Sequence, residues 1–125
     1  MNYLDIVIAL ALIQAMAFSM LTGRARGLYK IAAPAVTGHD LFERTYRVQM
    51  NTIELLVVFV PAMMIASKYW SPTILAALGA VYLVGRVVYY MQYTNPSKNR
   101  GAGFGLSFTP VAIVVLMALV GAVIK

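Results

Sequence analysis

The stretch from Phe42 to Glu54 reads FERTYRVQMNTIE and runs directly into the apolar sequence LLVVFVPAMMIA. Together they have the length and hydropathy of a membrane-spanning helix whose first third is polar. Arg44, Arg47, Asn51 and Glu54 follow one another at spacings of three, four and three residues, which places them on one helical face. Charged side chains at membrane depth are costly and usually face a bundle interior or a wet cavity. This polar stripe therefore predicts a binding site for a small ligand that is zwitterionic and multiply anionic.

The composition of the chain indicates a membrane protein. Of its 125 residues, 62% are hydrophobic and only 11% are charged, whereas a soluble domain needs a more polar surface. The mean hydropathy of +0.80 agrees with this interpretation. The absence of cysteine excludes a disulfide framework, a thiolate metal site and a cysteine nucleophile. No other metal-binding pattern is visible, so we expect no metal.

Four apolar segments predict an all-α membrane protein built as a bundle of four transmembrane helices. We expect residues 1–125 to form a single domain with spans at about 3–21, 40–67, 72–93 and 106–124. No signal-peptide cleavage pattern is present, so we expect the first span to remain in the mature chain. Pro61 lies inside the second span and predicts a kink there, whereas Pro110 lies close to the start of the fourth.

The net charge of +6 reflects topology rather than nucleic-acid binding, because the basic residues lie at the ends of apolar segments. Arg24, Arg26 and Lys30 follow the first span, and Lys98 and Arg100 follow the third. The positive-inside rule then places the first and third connections in the cytoplasm and both termini outside. The polar stripe and the Arg100 loop would share this cytoplasmic side.

The third span carries a second polar stripe. Arg86, Tyr89 and Tyr93 are spaced by three and four residues and share a helical face. Tyrosines near a helix end can also form the aromatic belt of the membrane interface. Arg86 lies well inside the span, where an unpaired charge is expensive, so we expect a structural ion pair with Glu54 or Glu43.

These motifs resemble the family of membrane-associated proteins in eicosanoid and glutathione metabolism (MAPEG). The resemblance rests on ER-x-x-x-x-Q-x-N-x-x-E in the second span, on R-x-x-Y-x-x-x-Y within GRVVYYMQY, and on an arginine seven residues later. It covers nearly the whole chain. The family includes microsomal glutathione transferases, leukotriene and prostaglandin synthases, and a non-catalytic lipid-presenting branch.

The resemblance implies a homotrimer that binds glutathione between neighbouring subunits. It assigns Arg44 and Arg86 to structural ion pairing. Gln49 points about 200° away from Arg47 on a helix, which fits a site between subunits better than a pocket inside one bundle. The glutathione contacts that it implies are Arg26, Arg47, Gln49, Asn51, Glu54, Tyr89 and Tyr93.

Arg100 is the catalytic residue that the resemblance implies. A thiol with a pKa of about 8.5 is mostly protonated at neutral pH, and the thiolate is the nucleophile. A guanidinium about 4 Å from the sulfur would interact with the thiolate by about 4 kcal/mol at an effective dielectric near 20, before desolvation. If only the charge of its loop is considered, Arg100 would have no catalytic role and would simply keep the loop on the cytoplasmic side of the membrane.

The predicted function is that of an integral-membrane glutathione transferase that acts on lipophilic electrophiles. Peroxidase activity toward lipid hydroperoxides is a second candidate reaction. Leu55 stands where the leukotriene-synthase branch has tyrosine, which argues against eicosanoid chemistry. The partners would be glutathione as co-substrate, the electrophile and membrane lipids, in the inner membrane if the source is bacterial.

Two alternatives remain open. A non-catalytic lipid-binding protein would not need the full set of ligand-binding residues in the polar stripe. A small four-helix multidrug exporter would need an acid deep in the first span, which has none after Asp5.

Two loop features carry further expectations. Gly101, Gly103 and Gly105 predict a flexible connection before the fourth span. His39 is expected to be a solvated loop residue, and Asp40 is expected to cap the second helix.

Overall fold

The protein is an all-α bundle of four helices. The computed structural model describes residues 1–125, with α1 at Tyr3–Tyr29, α2 at Asp40–Ala66, α3 at Pro72–Tyr93 and α4 at Gly101–Ile124. Each helix is long and apolar enough to cross a membrane. The predicted four-helix fold is confirmed.

The helices pack so that α2 and α3 contact all three other helices, whereas α1 and α4 do not touch each other. Because short connections join consecutive helices, neighbours in sequence run antiparallel. The ends of α1 and α3 therefore meet the beginnings of α2 and α4 at one end of the bundle. This end carries most of the charged side chains.

The core between α2, α3 and α4 is closely packed. Phe59 of α2 stacks on Tyr82 of α3 with ring centroids 4.3 Å apart, and both side chains are fully buried. Gly85 of α3 lies against the backbone of α4, where an added Cβ would be 2.6 Å from the carbonyl carbon of Leu106. Small residues allow such close helix contacts in membranes.

The first helix extends further than the apolar run that predicted it. It continues to Tyr29 and ends at Lys30, which adopts the left-handed conformation with φ of 56°. Arg24 and Arg26 therefore lie in the helix and not in the connection. The difference arises because hydropathy marks the end of the apolar segment, whereas a helix can continue into water.

The N-cap of α2 is His39 rather than Asp40. The Leu41 backbone N–H donates to Nδ1 of His39 at 3.2 Å, and the His39 ring stacks on Tyr29 with a centroid distance of 3.8 Å. Asp40 is the first helical residue and pairs with Arg44 at 2.9 Å. Pro61 lies within an uninterrupted helix.

The three glycines after Arg100 are helical, so the expected flexible connection is wrong. The first turn of α4 is capped by side chains: the Gly101 N–H donates to Asn99 Oδ1 at 2.8 Å, and the Gly103 N–H donates to Gln92 Oε1 at 3.0 Å. These bonds satisfy donors that a helix start leaves free. Because α4 begins at Gly101, Pro110 lies in its interior and not near its start.

Candidate functional site

A polar cleft opens at the charged end of the bundle. It has a volume of about 600 Å³ and is formed by the start of α2, the end of α3 and the third connection. The predicted residues Arg47, Tyr93 and Arg100 line it. No ligand-binding role was predicted for the other lining groups, although they lie close in sequence to Arg47 and Arg100. The full lining is Asp40, Glu43, Arg44, Arg47, Tyr93, Pro96, Lys98, Asn99 and Arg100.

The Tyr93 ring lies beside two guanidinium groups in this cleft. The Cζ atoms of Arg100 and Arg44 lie 5.4 Å and 5.9 Å from its centroid. Arg44 is held in place, since it pairs with Asp40 and donates to the Tyr93 carbonyl oxygen at 3.1 Å. Arg100 is exposed and forms no ion pair. Its positive charge is therefore available to an anion in the cleft.

Arg47 and Glu54 form an ion pair along the exposed face of α2. Arg47 Nη1 lies 2.9 Å from Glu54 Oε1, and the two side chains are 48% and 53% exposed. Two residues that are predicted to bind the ligand therefore neutralise each other's charge within one chain. A ligand that offers both a carboxylate and an ammonium could replace both partners at once.

Arg86 does not pair with an acid, so that prediction is wrong. Its side chain is fully buried, and Nη1 donates to Asn51 Oδ1 at 2.9 Å. Its guanidinium lies 4.2 Å from the centroid of the Tyr89 ring. The physical reason is that Glu54 lies on the exposed face of α2 and is bound by Arg47.

Tyr89 lies inside the bundle and not in the polar cleft. Only 1% of its surface is exposed, and its ring packs on Tyr93 at a centroid distance of 5.3 Å. Tyr89 therefore does not line the cleft itself but contacts Tyr93, which does.

Arg26 and Gln49 lie away from the cleft lining. Arg26 Nη1 donates to the Ala35 carbonyl oxygen at 2.6 Å, and its guanidinium lies 4.9 Å from the centroid of the Phe42 ring. Gln49 is half-buried and forms no side-chain hydrogen bond within the chain. The single chain therefore brings together only part of the predicted set.

Comparisons with known proteins agree with this architecture. The model of the MAPEG family matches residues 4–120. The chain is 40% identical to an uncharacterised protein of Synechocystis, over 91% of this chain and 83% of the relative. It is 36% identical to human microsomal glutathione S-transferase 2, over 83% of this chain and 71% of the relative. It is 31% identical to guinea pig (Cavia porcellus) leukotriene C4 synthase, over 83% and 69%.

These matches span nearly the whole chain, and the four apolar helices are those of a multi-pass integral membrane protein. The chain belongs to the MAPEG family.

Proposed function

We propose that this protein is an integral-membrane glutathione transferase that activates the glutathione thiol for attack on lipophilic electrophiles. The observation that carries the proposal is the exposed, unpaired Arg100 beside Tyr93, in a cleft that also contains Arg47. Relatives named as a glutathione S-transferase and a leukotriene C4 synthase support the use of glutathione.

Arg100 would act by stabilising the thiolate. Arginine stays protonated, so it lowers the pKa of a nearby thiol electrostatically and does not serve as a base. The thiolate sulfur then attacks an electrophilic carbon and a C–S bond forms. Either the bond to a leaving group breaks, or the carbanion formed by addition to a conjugated alkene takes a proton from water. In a second candidate reaction, the same thiolate attacks the terminal oxygen of a lipid hydroperoxide. The O–O bond breaks, the lipid leaves as an alcohol after taking up a proton, and a second glutathione converts the sulfenic acid to the disulfide and water.

The ligand charges match the side chains of the stripe. Glutathione has two carboxylates and one ammonium, so Arg47 would bind a carboxylate and Glu54 the ammonium. Arg26 and Gln49 would reach the same ligand from a neighbouring subunit, because within one chain they lie away from the cleft. This division of the site supports a homotrimer with glutathione at each subunit junction.

The second substrate would approach along an apolar groove between α3 and α4. This groove has a volume of about 580 Å³ and begins at Gly101, next to Arg100. It continues toward Leu78 and Ile113, and Thr109 is its one side chain with a hydroxyl group. A lipophilic electrophile could therefore stay in the apolar phase while its reactive end meets the sulfur. We place this end on the cytoplasmic side, in accordance with the positive-inside rule.

The test is glutathione binding to the detergent-purified protein, with the thiolate followed by its ultraviolet absorbance. For Arg100→Leu we expect nearly unchanged glutathione affinity, a bound-thiol pKa higher by about one to two units, and a conjugation rate lower by about ten- to a hundredfold near neutral pH.

Lys98→Leu is the matched control, because Lys98 is an exposed, unpaired cation in the same cleft. We expect it to leave the thiol pKa nearly unchanged. Equal effects of the two substitutions would contradict the role of Arg100. Absence of glutathione binding to the wild type would instead favour a non-catalytic lipid-binding protein.

A further inference from the structure

Arg24 marks the membrane boundary at one end of α1. Residues 6–23 carry no charged side chain, and Asp5 and Arg24 stand on either side of them. In a helix this stretch is about 27 Å long, which is close to the thickness of a hydrocarbon core of about 30 Å. Arg24 therefore lies at the level of the lipid headgroups when α1 spans the bilayer.

The side chain of Arg24 has no anionic partner within the chain, since it is exposed and forms no ion pair. Of the four acidic residues, Asp40 and Glu54 pair with other arginines. Glu43 accepts a hydrogen bond from a backbone N–H at 3.1 Å, and Asp5 lies at the opposite end of α1. The positive charge of Arg24 is therefore available to an anion from outside the chain.

Arg24 lines a groove between α1, α2 and α3 that shares no residue with the polar cleft or with the α3–α4 groove. This groove has a volume of about 230 Å³, and no acidic residue lines it. Leu28 and Leu41 are among its apolar lining residues. Tyr90 lines it as well: its ring stacks on Phe18 at a centroid distance of 5.6 Å, and its hydroxyl group forms no hydrogen bond within the chain.

We propose that this groove is a binding site for an anionic phospholipid. The phosphate accepts hydrogen bonds from the Arg24 guanidinium, and the Tyr90 hydroxyl group is a further donor. The first part of one acyl chain lies along the apolar lining. Basic pockets between membrane-spanning helices bind anionic headgroups in this way.

The lining of the groove distinguishes this lipid from other phosphate compounds. A zwitterionic phospholipid brings its own ammonium, for which the groove offers no carboxylate. A free phosphate ion would contact Arg24 but would leave the apolar lining without a partner. An anionic phospholipid satisfies both the cation and the apolar surface, and the proposal is independent of glutathione binding.

The test follows the thermal unfolding midpoint of the detergent-purified full chain as a ligand is added. Dihexanoyl phosphatidylglycerol, the phosphatidylcholine with the same acyl chains and inorganic phosphate are compared at equal ionic strength. A ligand that binds only the folded protein raises the midpoint. We expect a saturable rise with phosphatidylglycerol and a much smaller one with the other two. A rise of the same size with phosphatidylcholine or with phosphate would overturn the proposal, since the site would then select the acyl chain alone or the phosphate alone.

Arg24→Met and Lys30→Met form a matched pair of variants. Lys30 is also an exposed, unpaired cation at this end of α1, but it does not line the groove. Arg24→Met should weaken phosphatidylglycerol binding by about fivefold or more, whereas Lys30→Met should leave it nearly unchanged. Equal losses in the two variants would overturn the proposal, because they would show attraction by general surface charge.

Leu28→Glu decides the question if Arg24→Met does not fold. Leu28 is 62% exposed and lies one turn after Arg24 in the lining of the groove, so the introduced carboxylate can pair with the guanidinium. The unfolding midpoint without lipid should stay close to that of the wild type, and the preference for phosphatidylglycerol over phosphatidylcholine should disappear. An unchanged preference in this variant would overturn the proposal.

Discussion

Tyr93 contacts two of the three guanidinium groups that line the cleft. Its ring lies beside Arg44 and Arg100, and its carbonyl oxygen accepts a hydrogen bond from Arg44. A cation above an aromatic face is stabilised by roughly 0.5–1 kcal/mol at exposed sites. Arg100 is exposed and has no ion pair, so this ring is the main contact that limits its positions.

Replacement of Tyr93 separates the roles of its ring and its hydroxyl group. Tyr93→Phe keeps the aromatic face, so the pKa of the bound thiol should stay close to that of the wild type. Tyr93→Leu should raise that pKa by up to about one unit, because Arg100 loses the contact that holds it near the sulfur. The measurement is a thiolate absorbance titration with bound glutathione. A larger shift in Tyr93→Phe than in Tyr93→Leu would show that the hydroxyl group is the relevant part.

Arg86 is bound by an amide, Asn51, and not by the predicted acid. The expected partner was Glu54 or Glu43, and the observed partner, Asn51, lies three residues before Glu54 on the same helix. The choice depends on which face of α2 packs against α3, and the structure turns Asn51 inward and Glu54 outward. Helical periodicity shows which residues share a face, but small rotations of one helix against another select the contact.

At the scale of elements, the α3–α4 interface positions Arg100. Gly85 and Gly103 have no side chains, so the backbones of α3 and α4 can come into direct contact at these positions. Gln92, near the end of α3, caps the first turn of α4. Arg100 is the residue before this turn, so the place of its side chain follows from how α4 docks on α3. A change in this interface should therefore affect both stability and thiol activation.

Gly103 and Gly105 provide a matched pair that tests this interface. An added Cβ at Gly103 would collide with the backbone of Tyr89, whereas one at Gly105 would meet open space. Gly103→Ala should destabilise the protein by about 1–3 kcal/mol. Gly105→Ala should be neutral or stabilising by up to about 1 kcal/mol, because alanine favours the helix. Denaturant unfolding in detergent measures both, and equal stabilities of the two variants would contradict this packing.

At the scale of the whole molecule, the residues predicted to bind the ligand do not form a single site within one chain. Arg100 and Arg47 line the cleft, while Arg26 binds the first connection and the Arg47–Glu54 pair lies on an exposed face of α2. In a membrane, an exposed ion pair needs water or protein around it. A homotrimer that covers this face and supplies Arg26 from the neighbour would meet both requirements, and this remains our proposal.

Mixed oligomers test the proposal of a shared site. Arg26→Leu and Arg100→Leu subunits with different affinity tags are produced together, and oligomers that carry both tags are isolated. Each variant alone should show low conjugation activity. In a cyclic trimer, every mixed particle has one junction that combines Arg26 of one subunit with Arg100 of the other, so part of the activity should return. If the mixed particles are no more active than either variant, then each site lies within a single chain.

Local patterns were sufficient to predict four helices, the polar face of α2 and the gathering of charge at one end of the bundle. Hydropathy and helical periodicity depend only on neighbours in sequence, and the positive-inside bias depends only on loop charge. The same patterns pointed to the family, which the match over residues 4–120 confirms.

Contacts between distant segments decided the rest. The start of α4 depends on Gln92 and on the space that Gly103 leaves for Tyr89. The partner of Arg86 depends on how α2 rotates against α3. These contacts are decided only when the helices pack together, because a buried polar group bonds to whichever partner the neighbouring helix presents. The spacing of residues in the sequence describes only the faces of a single helix.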